Sequence, residues 1–305
     1  MRHGQPPKIL PVVLAAAILG ISISGPLARL STAAPLAIAA WRLGLTLVVI
    51  AVVLTVTRAW HEYRALSRRD IGIALLAGTM LAFHFWTWIA SISLTTVAAS
   101  VVLVNLHPIV IVTGSALWLK ERPTRQQVIG LTIAMLGGVV VALGDSGPSS
   151  RAEDALVGDL LAFIGALTVG VYYLVGRDLR QRLSLWTYVG LVYGACFLVV
   201  VTLAVLNGHP LWPQPPRDLL IFAGIAIGPM LLGHTGFNWS LRYVPAYVVS
   251  LAILAEPVGA TLLAAFLPGI SERPGAWTLV GGAIILGGLV LGTVVRKPRP
   301  DILEE

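Results

Sequence analysis

Hydrophobic residues in this chain occur in long runs separated by short polar segments. The runs cover residues 9–28, 35–57, 71–91, 96–118, 126–144, 156–175, 186–206, 218–240, 245–267 and 276–295. A helix that crosses a bilayer needs about 20 mostly apolar residues, because the hydrocarbon core is about 30 Å thick and each residue rises about 1.5 Å. The pattern therefore predicts an all-α integral membrane protein with ten transmembrane helices.

Composition supports the same class of protein. The chain is 57% hydrophobic and 11% charged, with a mean hydropathy of +0.86, whereas a soluble domain carries about 25% charged residues. The net charge of +7 would suit nucleic acid, but the basic residues cluster between the apolar runs. We therefore expect the lipid bilayer as a partner and no nucleic acid. Cys196 is the only cysteine, which excludes a disulfide framework and a thiolate metal site, and we expect neither metal nor cofactor.

The lysines and arginines are distributed unevenly between alternate loops, and cytoplasmic loops are the ones enriched in them. One set of loops carries Arg2, Lys8, Arg58, Arg64, Arg68, Arg69, Lys120, Arg122, Arg125, Arg177, Arg180, Arg182, Arg242, Arg296, Lys297 and Arg299. The other set carries Arg29, Arg151, Arg217 and Arg273. The split predicts ten spans with both termini in the cytoplasm.

A short phrase occurs twice and indicates an internal duplication. Glu121-Arg122-Pro123 returns as Glu272-Arg273-Pro274, and a glycine-rich apolar run follows each copy. The polar linker at 145–150 separates two predicted five-helix repeats, residues 1–145 and 156–295, and a cytoplasmic tail follows at 296–305. Because five is odd, the two repeats have opposite orientations, an arrangement typical of transporters. The glutamates of the phrase are expected to anchor span ends or to form loop salt bridges.

Several features together resemble the EamA branch of the drug/metabolite transporter superfamily. They are the ten-span layout, Trp41-Arg42 in the second run, an X-Pro pair near the middle of the fourth and ninth runs, and the Glu-Arg-Pro phrase. The resemblance implies a multi-pass exporter of amino acids or other small metabolites in the bacterial inner (plasma) membrane. The second half departs from the family pattern at residues 267–270, where a Leu-Gly-Glu type of ending is usual.

Two charged residues inside the apolar runs are candidates for substrate binding or coupling. Glu256 lies near the middle of the ninth run, where an ionisable group is expensive unless it faces the bundle interior or an aqueous cavity. It is either a proton site or ligand for a substrate ammonium group, or a hydrogen-bond partner for backbone groups freed by Pro257. Arg42 either clamps a substrate carboxylate or extends its head group to the membrane interface.

Paired histidines form a second candidate group. His84 and His234 occupy equivalent places in the third and eighth runs, and Trp88 and Asn238 follow each by four residues. Residues four apart share a helical face, so we expect these side chains to line a central cavity from both halves. The alternative is that each histidine makes an interhelical hydrogen bond that serves packing alone.

Asn105 and His107 precede Pro108 in the fourth run. Proline in a helix interior removes an N–H donor and exposes backbone carbonyl groups, and transporters use such broken helices to bind substrate near the membrane midplane. We expect either a substrate contact here or a tolerated kink patched by polar side chains.

These observations favour a secondary-active or facilitative exporter that works by alternating access around a central cavity. Its substrate would be a small molecule, with amino acids, including aromatic or hydrophobic ones, as the first expectation. The sequence is compatible with a monomer and does not determine the oligomeric state. The alternatives are a flippase for a lipid intermediate, a membrane subunit of an envelope-assembly complex and, more remotely, an intramembrane enzyme. The sequence shows no complete catalytic constellation and no phosphate-binding loop for ATP, so we expect no catalytic residues.

Overall fold

The structure, a computed structural model, describes residues 6–95, 100, 103–144, 152–266 and 275–293. Every regular element in these ranges is helical. The α-helices are α1 (Leu10–Ser22), α2 (Ser24–Leu30), α3 (Pro35–Thr57), α4 (Arg68–Leu94), α5 (His107–Gly114), α6 (Arg125–Gly144), α7 (Ala152–Arg180), α8 (Leu185–Leu206), α9 (Pro216–Ile225), α10 (Thr235–Ser240), α11 (Ala246–Ile253), α12 (Glu256–Phe266) and α13 (Ala276–Thr293).

Seven of the described helical stretches are long and apolar enough to cross a membrane. Three shorter apolar helices cover His107–Leu119, Arg125–Val141 and Ala246–Ala260. Large apolar side chains such as Val56, Leu117 and Leu206 are more than three-quarters exposed. Outward-facing apolar side chains at this level are expected where the solvent is hydrocarbon rather than water. The all-helical membrane class predicted from the apolar runs is confirmed.

Some of the predicted features lie outside the described residues. They are the second copy of the repeated phrase, Glu272-Arg273-Pro274, the linker at 145–150, the atypical ending at 267–270 and the tail at 296–305.

Two of the apolar runs are interrupted close to their middles. A turn at Asn105 and Leu106 precedes α5, and a turn at Leu254 and Ala255 separates α11 from α12. Each new helix has its proline at the second position, Pro108 in α5 and Pro257 in α12. The first four N–H groups of a helix have no partner within it, so proline is tolerated there. The prolines therefore mark the starts of new helices rather than kinks within continuous ones.

Helices α6 and α13 pack at glycines and run antiparallel. A Cβ added to Gly130 would lie 2.6 Å from the carbonyl oxygen of Gly288, and one added to Gly137 would lie 2.8 Å from that of Gly281. Side chains at these positions would push the two backbones apart, which is why small residues occupy such helix contacts in membranes. The earlier glycine of α6, Gly130, meets the later glycine of α13, Gly288, and Gly137 meets Gly281. The two helices therefore run antiparallel.

Polar contacts tie the helices together at both ends of the bundle. At the end where α4 begins, Arg182 pairs with Asp70 and Arg177 pairs with Glu121, the latter at 2.6 Å. At the opposite end, where α3 begins, the buried Asp218 carboxylate accepts hydrogen bonds from the Thr32 hydroxyl (2.8 Å) and backbone N–H (3.3 Å). The ion pair confirms a salt bridge for Glu121, although its partner comes from α7 rather than from the neighbouring loop.

Candidate functional site

A cavity lies where the interrupted runs meet α3, α4, α7 and the eighth run. Its lining includes most of the residues singled out from the sequence, namely Arg42, His84, Trp88, Asn105, His107, His234 and Glu256. The remaining lining residues are Ile21, Ser24, Phe85, Val104, Val169, Tyr173 and Ile253. Residues that are far apart in sequence and come from both halves thus share one pocket.

The cavity is narrow. About 40 Å³ of it has room for the centre of a water molecule, and one water needs about 10–15 Å³ of such room. It therefore accommodates roughly three waters, and a larger solute requires the helices to move apart.

Two histidines of the first half are oriented by backbone carbonyl groups. His84 Nδ1 lies 3.0 Å from the Gly165 carbonyl oxygen, and His107 Nδ1 lies 3.1 Å from that of Val104. A carbonyl oxygen only accepts, so both Nδ1 atoms carry a hydrogen, and in the neutral form of each ring Nε2 carries the lone pair. The His84 ring stacks on Trp88 with centroids 6.1 Å apart and planes within 4°. The predicted shared face of these two residues is confirmed.

Arg42 is buried rather than extended to the membrane interface. Its side chain is 1% exposed, and its guanidinium carbon lies 4.2 Å from the centroid of the Phe85 ring. Its Nε and Nη2 atoms have no hydrogen-bond partner among the described residues. The interpretation that Arg42 snorkels is therefore wrong, because α3 packs this position against α4 and α8 instead of placing it at a span end.

The second half reaches the cavity through a distorted helix. Between α9 and α10, residues Ala226–His234 form a π-helical segment with Pro229 inside it. Proline cannot donate to the preceding turn, and π-helical segments in α-helices occur frequently at functional sites. The segment ends at His234, which lies edge-on to Phe85 with centroids 5.2 Å apart. The Gly-Pro pair at 228–229 is the local sequence signal from which this distortion could have been predicted.

Asn238 does not line the cavity, unlike the other residues singled out from the sequence. Its Nδ2 donates to the hydroxyl oxygens of Tyr172 (2.6 Å) and Tyr193 (3.1 Å), and Tyr193 also contacts the Thr235 hydroxyl at 3.2 Å. The side chain is fully buried. The structure thus uses Asn238 to join α7, α8 and α10 behind the cavity wall, where tertiary packing places the two tyrosines.

Glu256 begins α12 at the cavity wall. Its backbone carbonyl oxygen accepts a hydrogen bond from the Ser22 hydroxyl at 3.3 Å. Within the described residues, no hydrogen bond involves its carboxylate and no ion pair joins it to Arg42. The interpretation that its carboxylate patches backbone groups freed by Pro257 has no support in these contacts.

The cavity does not form a metal site in the part of the chain that the structure describes. No group of three or more histidine, cysteine, aspartate and glutamate side chains there has the arrangement needed to hold a metal ion. Sequence reasoning missed Phe85 and Tyr173, because aromatic residues in an apolar run carry no local signal that separates a cavity wall from ordinary packing.

Known proteins show the same pattern over nearly the whole chain. The model of the EamA-like transporter family matches twice, at residues 7–143 and 156–294. The "Uncharacterized transporter YyaM" of Bacillus subtilis (strain 168) is 25% identical over 276 residues, which cover 89% of this chain and 88% of the relative.

Other relatives are more distant or are covered in part. The "Probable terminal-alkyne amino-acid exporter" of Streptantibioticus cattleyicolor is 26% identical over 197 residues, covering 62% of this chain and 61% of the relative. A protein of known crystal structure superposes with a TM-score of 0.77 at 19% identity, covering 94% of this chain and 97% of the other. The last comparison shows a shared fold.

Proposed function

Because this chain belongs to the EamA-like transporter family, we propose that it exports small zwitterionic metabolites, amino acids first, across the bacterial inner membrane. The observation that carries the proposal is the central cavity, which an arginine, Arg42, and an acid, Glu256, both line without forming an ion pair with each other. An amino acid brings one carboxylate and one ammonium group, so a single solute could satisfy both side chains. A cavity contacted by both halves also provides a site that either end can open to.

The proposal includes ten spans in two inverted five-helix halves. The antiparallel contact of α6 and α13 supports this arrangement, since these helices follow equivalent positions in the duplicated sequence. Gly130 and Gly137 correspond to Gly281 and Gly288 at the repeat distance, and the pairs meet in reversed order. Two copies of one helix that pack antiparallel are what an in-plane pseudo-two-fold axis produces.

Alternating access would proceed by releasing one end of the bundle at a time. The Arg177–Glu121 and Arg182–Asp70 pairs hold one end, and the Asp218–Thr32 hydrogen bonds hold the other. In this proposal, the narrow cavity with both sets of contacts made is the occluded step of the cycle. Solute entry from the end where α4 begins would require the Arg177–Glu121 and Arg182–Asp70 pairs to break.

Counterflow into liposomes tests the transport function. We expect purified protein in liposomes preloaded with an amino acid to accumulate the same labelled amino acid transiently and saturably. Trp88→Ala, which alters the cavity wall, should change the affinity, whereas Trp60→Ala, which alters an exposed residue outside the cavity, should leave it unchanged. No flux for any soluble amino acid or metabolite would contradict the proposal and favour a lipid-intermediate flippase.

Cysteine labelling tests the inverted arrangement. Replacement of the buried Cys196 by alanine provides a background without native thiols. Single cysteines at Arg122 and Arg273 should then react with a membrane-impermeant maleimide from opposite sides of the membrane. Labelling of both positions from the same side would overturn the inverted topology.

A further inference from the structure

Arg42 lines the cavity and carries two buried guanidinium donors that no described residue engages. The side chain is 1% exposed, lines the cavity, and has neither Nε nor Nη2 engaged by any described residue. These two nitrogens point their hydrogens along the same edge of the planar fork, which is an edge that binds a carboxylate through two parallel hydrogen bonds. A buried cation with unsatisfied donors is costly, so this unpartnered edge calls for a ligand that reaches it when the helices move apart.

Arg177 shows the same edge in use within this molecule. Its Nε and Nη2 donate to Glu121 Oε1 at 3.0 and 2.6 Å, while its Nη1 donates to the Leu241 carbonyl oxygen. The two arginines thus present the same pair of nitrogens, one pair occupied by a protein carboxylate and the other by no described group.

The surroundings of Arg42 favour a carboxylate over a cation or a neutral group. The Phe85 ring holds the guanidinium plane at 4.2 Å, and the Trp88 indole N–H, another cavity-lining donor, has no described partner. Helix α5 begins at the cavity-lining His107, and a helix N-terminus carries partial positive charge. Glu256, the acid on the same wall, forms no ion pair with Arg42 among the described contacts.

We propose that the Nε/Nη2 edge of Arg42 binds the carboxylate of the transported solute and makes this group a requirement for transport. This inference rests on the proposed function, since it assigns a chemical group of the solute to one side chain of the same cavity. It makes Arg42 the residue that distinguishes carboxylate-bearing solutes from their neutral counterparts.

A matched pair of solutes tests the inference without any variant. Counterflow is measured for leucine and leucinamide, and for phenylalanine and phenylalaninamide, with wild-type protein. A neutral amide loses the charge-assisted, two-bond contact that a carboxylate makes with a guanidinium, so we expect wild-type protein to prefer each amino acid over its amide by tenfold or more in kcat/KM. Equal transport of acid and amide would overturn the inference, while the flux of both solutes would still show that the protein transports small metabolites.

Two substitutions connect the preference to Arg42. Arg42→Gln should abolish the preference for the acid, and Arg42→Lys, which keeps the charge but loses the planar fork, should reduce it in part. The size-exclusion profile of each variant verifies folding. A full preference for the acid in folded Arg42→Gln protein would overturn the inference, as would inhibition by inorganic phosphate without inhibition by carboxylates. Absence of flux for every solute with wild-type protein would instead contradict the proposed function.

Discussion

Arg42 and Arg177 are both buried, yet the molecule treats them differently. Arg177, near the end of α7, uses Nε and Nη2 to hold Glu121 and uses Nη1 to hold the Leu241 carbonyl oxygen. Arg42, in the middle of the bundle, stacks on Phe85 and leaves Nε and Nη2 without described partners. A buried charge whose donors are engaged by the protein connects structural elements, whereas one with unpartnered donors beside a cavity is positioned for a ligand.

Removal of the charge should affect the stability of the protein differently at Arg177 and at Arg42. Arg177→Met leaves the Glu121 carboxylate without its ion-pair partner, so the free energy of unfolding should fall by about 3 kcal/mol. Arg42→Met removes a desolvated charge whose donors are not engaged by the protein, so the free energy of unfolding should stay within about 1 kcal/mol or rise. Thermal unfolding of both variants in the same detergent measures the difference.

An exposed arginine provides the control for this pair of substitutions. The Arg182 side chain is 40% exposed in its ion pairs with Asp70 and Asp178, and Arg182→Met should change the free energy of unfolding by at most about 1 kcal/mol. If Arg42→Met destabilised the fold as much as Arg177→Met does, Arg42 would serve packing. Its unpartnered Nε and Nη2 atoms would then not indicate a ligand-binding site.

The same contrast between buried and exposed contacts exists at the two ends of the bundle. The carboxylate of Asp218 is buried against Thr32, while Asp70 meets Ser67 and Arg182 at the surface. Asp218→Ala should lower the free energy of unfolding by about 1–3 kcal/mol, because it leaves the Thr32 donors unpaired. Asp70→Ala should lower it by at most about 1 kcal/mol.

Substitution of Asp218 or Asp70 tests whether each aspartate keeps one end of the cavity closed. If they hold opposite ends closed, Asp218→Ala should raise the labelling rate of a cysteine introduced at Asn105 from the end where α3 begins, and Asp70→Ala should raise it from the other end. These rates are measured in the Cys196→Ala background with an impermeant reagent. Unchanged labelling in Asp218→Ala protein would show that its contact with Thr32 stabilises the fold without gating the cavity.

The two halves also differ in how well residue spacing predicted the side-chain directions of their candidate residues. His84 and Trp88 lie one turn apart in the regular helix α4, so their spacing predicted a shared face that the structure confirms. His234 and Asn238 have the same spacing, but the π-helical segment ends at His234 and the two side chains separate: one lines the cavity and the other binds Tyr172 and Tyr193. Spacing predicts direction only where the helix is regular.

Hydrophobic runs in the chain were enough to establish the all-helical membrane class, the bounds of helices such as Pro35–Thr57 and the places where prolines interrupt two runs. These properties follow from local residue patterns, since a helix in lipid satisfies its own backbone groups. The tertiary structure alone decided which polar groups are engaged. Whether Arg42 reaches the interface or a cavity, and whether a neighbouring carboxylate satisfies it, depends on contacts between residues far apart in the chain, and no local pattern encodes those contacts.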